Sequence, residues 1–380
     1  MVKIRLKTPE IIQFRLSERF NYFIICVKSL FYNHHLSQSY VADILLEPIF
    51  KIVDSRVFKR FLGPLFVLCC ILLTGSVVIA CYYVGLPYWW RKSQEVTIFL
   101  LIVGNWLLIN VTYHYFKAAL INPGTIPLAE SYNAVGICKK CLMPKPPRTH
   151  HCSICNKCIL KFDHHCVFLN QCVGFYNHRH FFLYMAYTVI GVIFIITFGI
   201  GIAYDVLWLG DSGGWEEKEH EKLHGSLVRY NLTGHLIPIT EVDYDSLGIS
   251  PASHNLPVSE LSDPNIYRAC CYVAVIIVAV LIALGSLTVW HYILISRGET
   301  SVESHINKSE RKRYNSKGKT FVNPYDFGKS TNWKIFLGLT RGRTFWRHVL
   351  FPSSHKPDND GITWTTVSDN ELFRVNDHQM

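Results

Sequence analysis

The sequence predicts an α-helical polytopic membrane protein: four transmembrane helices, with a cytosolic two-metal Cys-rich domain between the second and third. Three observations predict it. Four long apolar stretches carry no charge, the sign of loop charge reverses along the chain, and one segment repeats Cys and His at metal-ligand spacing.

The stretches are Phe61–Leu86, Val96–Phe116, Phe181–Tyr204 and Ala269–Ser296. A helix crosses the hydrocarbon core in about 20 apolar residues, and each stretch is long enough. Four such runs are far harder to bury in a soluble protein than in a bilayer. None contains an acidic or basic residue, which argues against a transporter, whose intramembrane charges mark the substrate path. Asn105, Asn110 and His114 in the second stretch read as polar groups that join helices. Upstream, Phe20, Phe23, Ile24, Val27, Leu30 and Phe31 recur at helical spacing and are interrupted by Lys28. The amino-terminal region therefore reads as an amphipathic surface helix, not a cleavable signal.

Charge sets the expected orientation. Residues 205–268 hold eleven acidic and four basic residues; residues 117–180 hold two acidic and eight basic. The segment from Arg297 onward holds fourteen basic and nine acidic residues. By the positive-inside rule the Cys/His segment and both termini face the cytosol, and 205–268 faces the lumen, where Asn231 begins a glycosylation triplet. The formal net charge of +10 then reads as orientation and attraction to lipid headgroups, with Arg311, Lys312, Arg313, Lys317 and Lys319 as a juxtamembrane cluster. A nucleic-acid partner is not expected. The expected organisation is a cytosolic region at 1–60, two spans within 61–120 and the cytosolic Cys-rich domain at 121–180. The third span follows at 181–204, a luminal loop at 205–268, the fourth span at 269–296 and a cytosolic region at 297–380.

Between Ile137 and Cys172 lie seven of the thirteen cysteines and four histidines. Cys138-x2-Cys141, Cys152-x2-Cys155 and Cys155-x2-Cys158 are the steps by which a tight turn brings two thiolates onto one ion. Interleaved histidines on a reducing side of the membrane exclude a disulfide framework. Two tetrahedral zinc ions take eight ligands; eleven candidates leave three over. A spare thiol near a spare imidazole is the material of a nucleophilic site. A cross-braced zinc ligase of the RING type needs no such pair, and a pure scaffold would not retain one. Cys26, Cys69, Cys70, Cys81, Cys270 and Cys271 read as small apolar packing residues.

Lys145-Pro146-x-Arg148-x-x-His151-Cys152 followed by Asp163-His164-His165-Cys166 resembles the DHHC-type protein S-acyltransferases, the enzymes that palmitoylate cysteines. Thr300-Ser301-Val302-Glu303 is similar to that family's TTxE element. Asn323-Pro324-Tyr325 through Asn332-Trp333 and Gly338 is similar to its carboxyl-terminal aromatic and asparagine motif. The stretch from Ser296 to Gly328 is similar to the animal sub-branch called Abl-philin two, the sixteenth mammalian paralogue. Val167-Phe168 stand in place of the usual Pro-Trp, Gln171 in place of an asparagine, Asn122 in place of an aspartate and Ser301 in place of a threonine.

The resemblance implies an interleaved pairing: one zinc on Cys138, Cys141, His151 and Cys158, the second on Cys152, Cys155, His165 and Cys172. It leaves Cys166, His164 and His150. It further implies that Cys166 attacks palmitoyl-CoA, with His164 as base and Asp163 holding its tautomer, and that the acyl group passes to a cysteine of a cytosolic or membrane protein. Residues two apart on an extended segment share a face, so His164 can meet Cys166 while His165 turns away. A cavity among the spans is the natural place for the acyl chain, each methylene preferring hydrocarbon by about 0.8 kcal/mol. Lys145 and Arg148 are the cations expected at the phosphates of the acyl-CoA. Thr300, Glu303 and Asn332 are expected as struts. The expected location is the endoplasmic reticulum membrane, or that of the Golgi.

Overall fold

A computed structural model describes residues 56–127, 134–206, 228–230, 236–238 and 263–369. The expected surface helix at 20–31 and Asn231 lie outside the described residues. The described residues from Gly63 onward belong to one compact unit.

Each apolar stretch is the centre of a longer helix. Helix α1 (Arg56–Ala80) continues through a π-turn (Cys81–Gly85) into α2 (Leu86–Lys92), so the first span, Leu62–Lys92, runs past Leu86. The extra turns hold their polar tips at a boundary. The Tyr88 hydroxyl donates to Asp205 at 2.6 Å, the Trp89 indole donates to the carbonyl of Phe198 at 3.3 Å, and Lys92 sits over both rings. Amphipathic side chains of this kind favour the edge of a bilayer. The second span is α3 (Gln94–Leu120), started by Ser93, whose hydroxyl accepts from the Val96 amide. The third is α4 (His178–Tyr204) and the fourth α5 (Pro264–Ser296), which opens with Asp263 as cap and Pro264 in its first turn, where the missing amide costs nothing. All four are long and apolar enough to cross a membrane, with mean hydropathy between 1.8 and 2.8. α3 packs on α4, and α4 on α5.

Three small antiparallel hairpins fill the stretch between α3 and α4: β1 (Gly136–Cys138) with β2 (Met143–Lys145), β3 (His150–Cys152) with β4 (Lys157–Ile159), and β5 (His164–Cys166) with β6 (Gln171–Val173). A fourth hairpin, β7 (Val228–Tyr230) with β8 (Leu236–Pro238), lies between α4 and α5 in sequence. After α5 come α6 (Ser301–Asn315), α7 (Lys329–Leu337) and α8 (Phe345–His348).

The third hairpin is seated on the spans. Cys166, Leu169 and Val173 belong to one apolar cluster with Leu107 and Tyr115 of α3, Phe181 and Met185 of α4 and Ile295 of α5. Gly63 of α1 permits the approach, because a Cβ there would lie 2.0 Å from Oδ1 of Asn170 in the hairpin turn. Gln171 and Asn177 complete the seating: their amides donate to the carbonyls of Ile121 and Ala118 near the end of α3, at 2.6 and 3.0 Å. The glutamine at position 171 thus caps a helix end that would otherwise be unsatisfied.

Farther along the spans lies an apolar cavity of about 550 Å³, lined by Leu73, Val77, Leu108, Phe194 and Ile277 among others. On α4 its lining begins at Thr188, about 15 Å along the helix from His178. Leu107 belongs to both the cavity wall and the cluster around Cys166, so apolar packing is continuous between them.

Candidate active site

The hairpins build two metal-binding groups by interlocking. The turn after β1 presents Cys138 and Cys141, and the next hairpin completes the set with His151 and Cys158, a cross-strand pair. The turn after β3 presents Cys152 and Cys155, completed by the cross-strand pair His165 and Cys172 of the third hairpin. An ion bound at about 2.3 Å by sulfur and about 2.0 Å by nitrogen in a tetrahedron needs edges of about 3.5–3.8 Å. In the first group His151 Nδ1 lies 3.7, 3.1 and 3.9 Å from the three sulfurs, and Cys158 Sγ is 3.7 Å from Cys141 Sγ. In the second, His165 Nδ1 lies 3.9, 3.4 and 3.5 Å from its sulfurs. Three thiolates and one imidazole at these spacings fit zinc.

Cys166 belongs to neither group. It closes β5 and is buried, and His164 stands two residues earlier on the same strand, on the same face. His164 Nδ1 donates to Asp163 Oδ2 at 2.6 Å. Asp163 is 1% exposed and receives two more hydrogen bonds, from the Ser301 amide to Oδ1 at 2.8 Å and from the Ser301 hydroxyl to Oδ2 at 2.9 Å. Burial by itself would raise the Asp163 carboxyl, but neighbouring imidazoles and the His164 hydrogen bond hold it well below the carboxylate range. Burial pulls His164 down, and its hydrogen bond to Asp163 with the neighbouring Cys166 sulfur more than reverses this, holding it up at about 9.

The carboxyl-terminal elements fasten this arrangement. Thr300 caps α6 in a reciprocal box with Glu303, which places the Ser301 amide at Asp163. Glu303 in turn takes two hydrogen bonds from Arg148, both at 2.6 Å, and the guanidinium lies 4.4 and 4.6 Å from the ring centres of Tyr325 and Trp364. Asn332 donates to the Ser296 carbonyl at 3.0 Å and accepts from the Phe327 amide, tying α7 to the end of α5. Thr300, Glu303 and Asn332 are struts in this structure.

Arg148 has a side chain only 6% exposed and is occupied by Glu303 and the Gly298 carbonyl. Lys145, on β2, is half-buried, with no such partner among the described contacts. The aromatic at position 168 also finds a use, since Phe168 packs edge-on to Phe66 of α1 and its carbonyl accepts from Tyr115.

Residue spacing did not point to Ser301, His178 or His291. Ser301 reaches Asp163 from 138 residues away, and the imidazoles of His178 and His291, both buried, surround the same carboxylate from α4 and α5. The one available signal was the polar character of His178 and His291 at the ends of apolar stretches.

Four helices long and apolar enough to cross a membrane, with two Cys3His groups that fit zinc between the second and third, describe a helical membrane protein with a metal-binding insert. The DHHC palmitoyltransferase family profile matches residues 131–308. The chain is 38% identical to Palmitoyltransferase ZDHHC16B of Danio rerio over 92% of its length and 89% of that protein. It is 38% identical to Palmitoyltransferase ZDHHC16 of Homo sapiens over 92% of this chain and 87% of the relative. A plant protein, Probable protein S-acyltransferase 12 of Arabidopsis thaliana, is 27% identical over 77% of this chain. The chain belongs to the DHHC palmitoyltransferase family, with the ZDHHC16 proteins among its relatives, and it is a protein S-palmitoyltransferase.

Proposed function

We propose that the enzyme takes a long-chain acyl group from acyl-CoA onto Cys166 and passes it to cysteine thiols of proteins at the cytosolic face. The observation that carries this reading is the line Ser301–Asp163–His164, in which a buried carboxylate fixes one nitrogen of an imidazole two residues before the buried Cys166 thiol on the same strand.

Asp163 beside His164 favours its charged form, so this imidazole can take the proton of the Cys166 thiol, and the thiolate is the reactive form of cysteine. Cys166 attacks the thioester carbonyl and coenzyme A leaves as its thiol, taking the proton from His164. In the second half the incoming protein thiol gives its proton to His164, attacks the acyl–Cys166 thioester and releases Cys166, a two-step exchange. Asp163 keeps His164 in one tautomer and stabilises its charged form. Zinc, on Cys138, Cys141, His151 and Cys158 and on Cys152, Cys155, His165 and Cys172, stiffens the hairpins that present this line. The cavity beyond Leu107 receives the acyl chain. Lys145 is the cation free to meet the phosphates of the donor; Arg148 meets them only by giving up Glu303.

The loop charges support a cytosolic Cys138–Cys172 segment, cytosolic termini and a luminal 205–268, with the seven-part organisation given above. The resemblance of residues 296–328 to the sub-branch is what favours the endoplasmic reticulum membrane over the Golgi. Purified protein given a clickable palmitoyl-CoA should acquire a hydroxylamine-sensitive label that Cys166→Ser lacks; equal labelling of the variant would overturn the assignment. Protease treatment of sealed microsomes should digest tags at either terminus and spare one in 205–268, and protection of the Cys138–Cys172 segment would refute the topology.

A further inference from the structure

One loop of the carboxyl-terminal region, residues 338–355, leaves the start of α4 and returns to it. At its two ends the Leu337 carbonyl meets His355 Nε2 at 2.9 Å, and Arg179, in the first turn of α4, donates to the carbonyls of Ser353 and His355 at 2.9 and 3.0 Å. The middle of the loop lies deeper. Tyr187, about 12 Å farther along α4 than Arg179, donates its hydroxyl to the Val349 carbonyl at 2.7 Å. The Trp106 indole donates to the Leu350 carbonyl at 3.0 Å, and Trp106 is the midpoint of the uncharged stretch 96–116 of α3. The chain goes in along α8, turns at Val349 and Leu350, and climbs back through Phe351 and Pro352.

Irregular backbone is stable at membrane depth only where its polar groups find partners in the protein. Here they do. The Val349 and Leu350 amides donate to the Phe345 carbonyl at 2.9 and 3.3 Å, and Tyr187 and Trp106 take their carbonyls. Val349 itself is buried in the apolar cluster with Leu107 and Tyr187. The large rings around it have no such cover: Trp346 is 74% exposed, Phe351 58% and Phe345 47%. Ile109 of α3 and Ile190 of α4, each within a turn of the residue that holds the loop, are exposed as well, so the rings continue the lipid-facing surface of the spans. Aromatic side chains favour the boundary between hydrocarbon and headgroups. The loop carries no acidic residue, and Arg341 and Arg347 are exposed on it; such cations reach headgroup phosphates on long apolar stems.

We propose that residues 345–351 are a re-entrant hook seated in the lipid leaflet on the side of the Cys-rich hairpins, with Phe345, Trp346 and Phe351 among the acyl chains and Arg347 at the headgroup phosphates. The hook ties the hairpins to that leaflet. Beyond it the chain brings Trp364 edge-on to Phe175, 5.7 Å between ring centres, and against the Arg148 guanidinium at 4.6 Å. The Val367 amide then donates to the Pro324 carbonyl at 2.9 Å. Nothing in this seat depends on the role of Cys166.

The test uses the full-length protein in nanodiscs, with a fluorescent noncanonical amino acid at one position at a time. Trp346 and Phe351 are exposed, so a label at either leaves the packing intact. Ile282, exposed on α5, and Leu142, exposed in the turn of the first hairpin, are the reference positions. Probes at 346 and 351 should be quenched by lipids brominated on the acyl chain, as at 282, and should resist the aqueous iodide that quenches a probe at 142. Quenching by iodide but not by the brominated lipid would overturn the hook. Shielding from both quenchers would overturn it too, since protein and not lipid would then cover the rings. The unlabelled wild type gives a second reading: crosslinks from a photoactivatable acyl chain should fall on residues 344–352, and crosslinks confined to the four spans would count against the seat. Combined Trp346→Ser and Phe351→Ser substitutions should speed hydrogen exchange across 345–367 and leave that of the spans unchanged; unaltered exchange at 360–367 would break the tie to the hairpins.

Discussion

Hairpins β3–β4 and β5–β6 fold alike and share five of eleven aligned residues. Thr149-His150-His151-Cys152-Ser153-Ile154-Cys155-Asn156-Lys157-Cys158-Ile159 matches Asp163-His164-His165-Cys166-Val167-Phe168-Leu169-Asn170-Gln171-Cys172-Val173 in strand register, turn length and the left-handed asparagine. Two of the differing positions set the metal-binding hairpin apart from the hairpin of the proposed nucleophile. Where the second hairpin has Cys155, the third has Leu169, buried in the apolar cluster with Cys166. Where the second has Thr149, the third has Asp163, whose carboxylate orients His164. One substitution removes the second thiolate and turns the turn toward the membrane helices; the other gives the neighbouring imidazole an acidic partner. On the proposed role of Cys166, residues three positions away on either side set the two thiols apart.

That comparison can be broken most directly at Cys166. Cys166→Ser should abolish acyl-enzyme formation and transfer while two zinc equivalents and the expression level are retained. Loss of a metal equivalent would make Cys166 a knuckle ligand and erase the distinction between the hairpins. Leu169→Cys restores the missing thiolate and should convert the third hairpin toward the second. Activity should fall steeply in zinc-replete buffer and return with a chelator, with an extra equivalent of metal counted before treatment.

The paired histidines sharpen the same contrast at smaller amplitude. His164→Ala should keep both zinc ions and slow acyl-enzyme formation by about 10²–10⁴-fold, the usual worth of a general base. His165→Ala should release zinc and lower the unfolding temperature, because opening a tetrahedral shell removes folding energy. Equal metal loss in the two variants would sink the division of labour.

The smallest effect on the chemistry is expected at Glu303, which fastens the segment before the second hairpin, while its neighbour Ser301 fastens the third. Glu303→Ala leaves Arg148 buried without its partner and should cost about 3–5 kcal/mol of stability. Burial alone would raise the Glu303 carboxyl, but Arg148 and the Thr300 amide hold it below the usual 4.5. A carboxyl with a lowered folded-state pKa stabilises above its unfolded value, and that stability is lost as pH falls through the folded value. Thermal melts should therefore show an acid-side loss below pH 4.5 that is smaller in Glu303→Ala than in the wild type.

Much of this molecule was legible from the chain alone. Four uncharged stretches and the Cys/His spacing were enough for the four spans and for two metal groups with three residues left over, since hydrophobic length and ligand count are properties of the sequence. The helices run beyond those stretches because residues such as Tyr88, Trp89 and Lys92 satisfy their polar ends against partners that no local pattern reveals.

Tertiary structure decided which charges are free and what surrounds the spare thiol. Arg148 and Lys145 look alike as cations, yet only the fold buries Arg148 against Glu303, 155 residues away. Ser301, His178 and His291 converge on Asp163 from three separate helices. A sequence fixes which donors exist and how neighbours alternate along a strand; the packing of helices distant in the chain fixes which buried carboxylate each donor meets. Burial then makes every such meeting consequential, because a polar group removed from water must find its partner inside the protein.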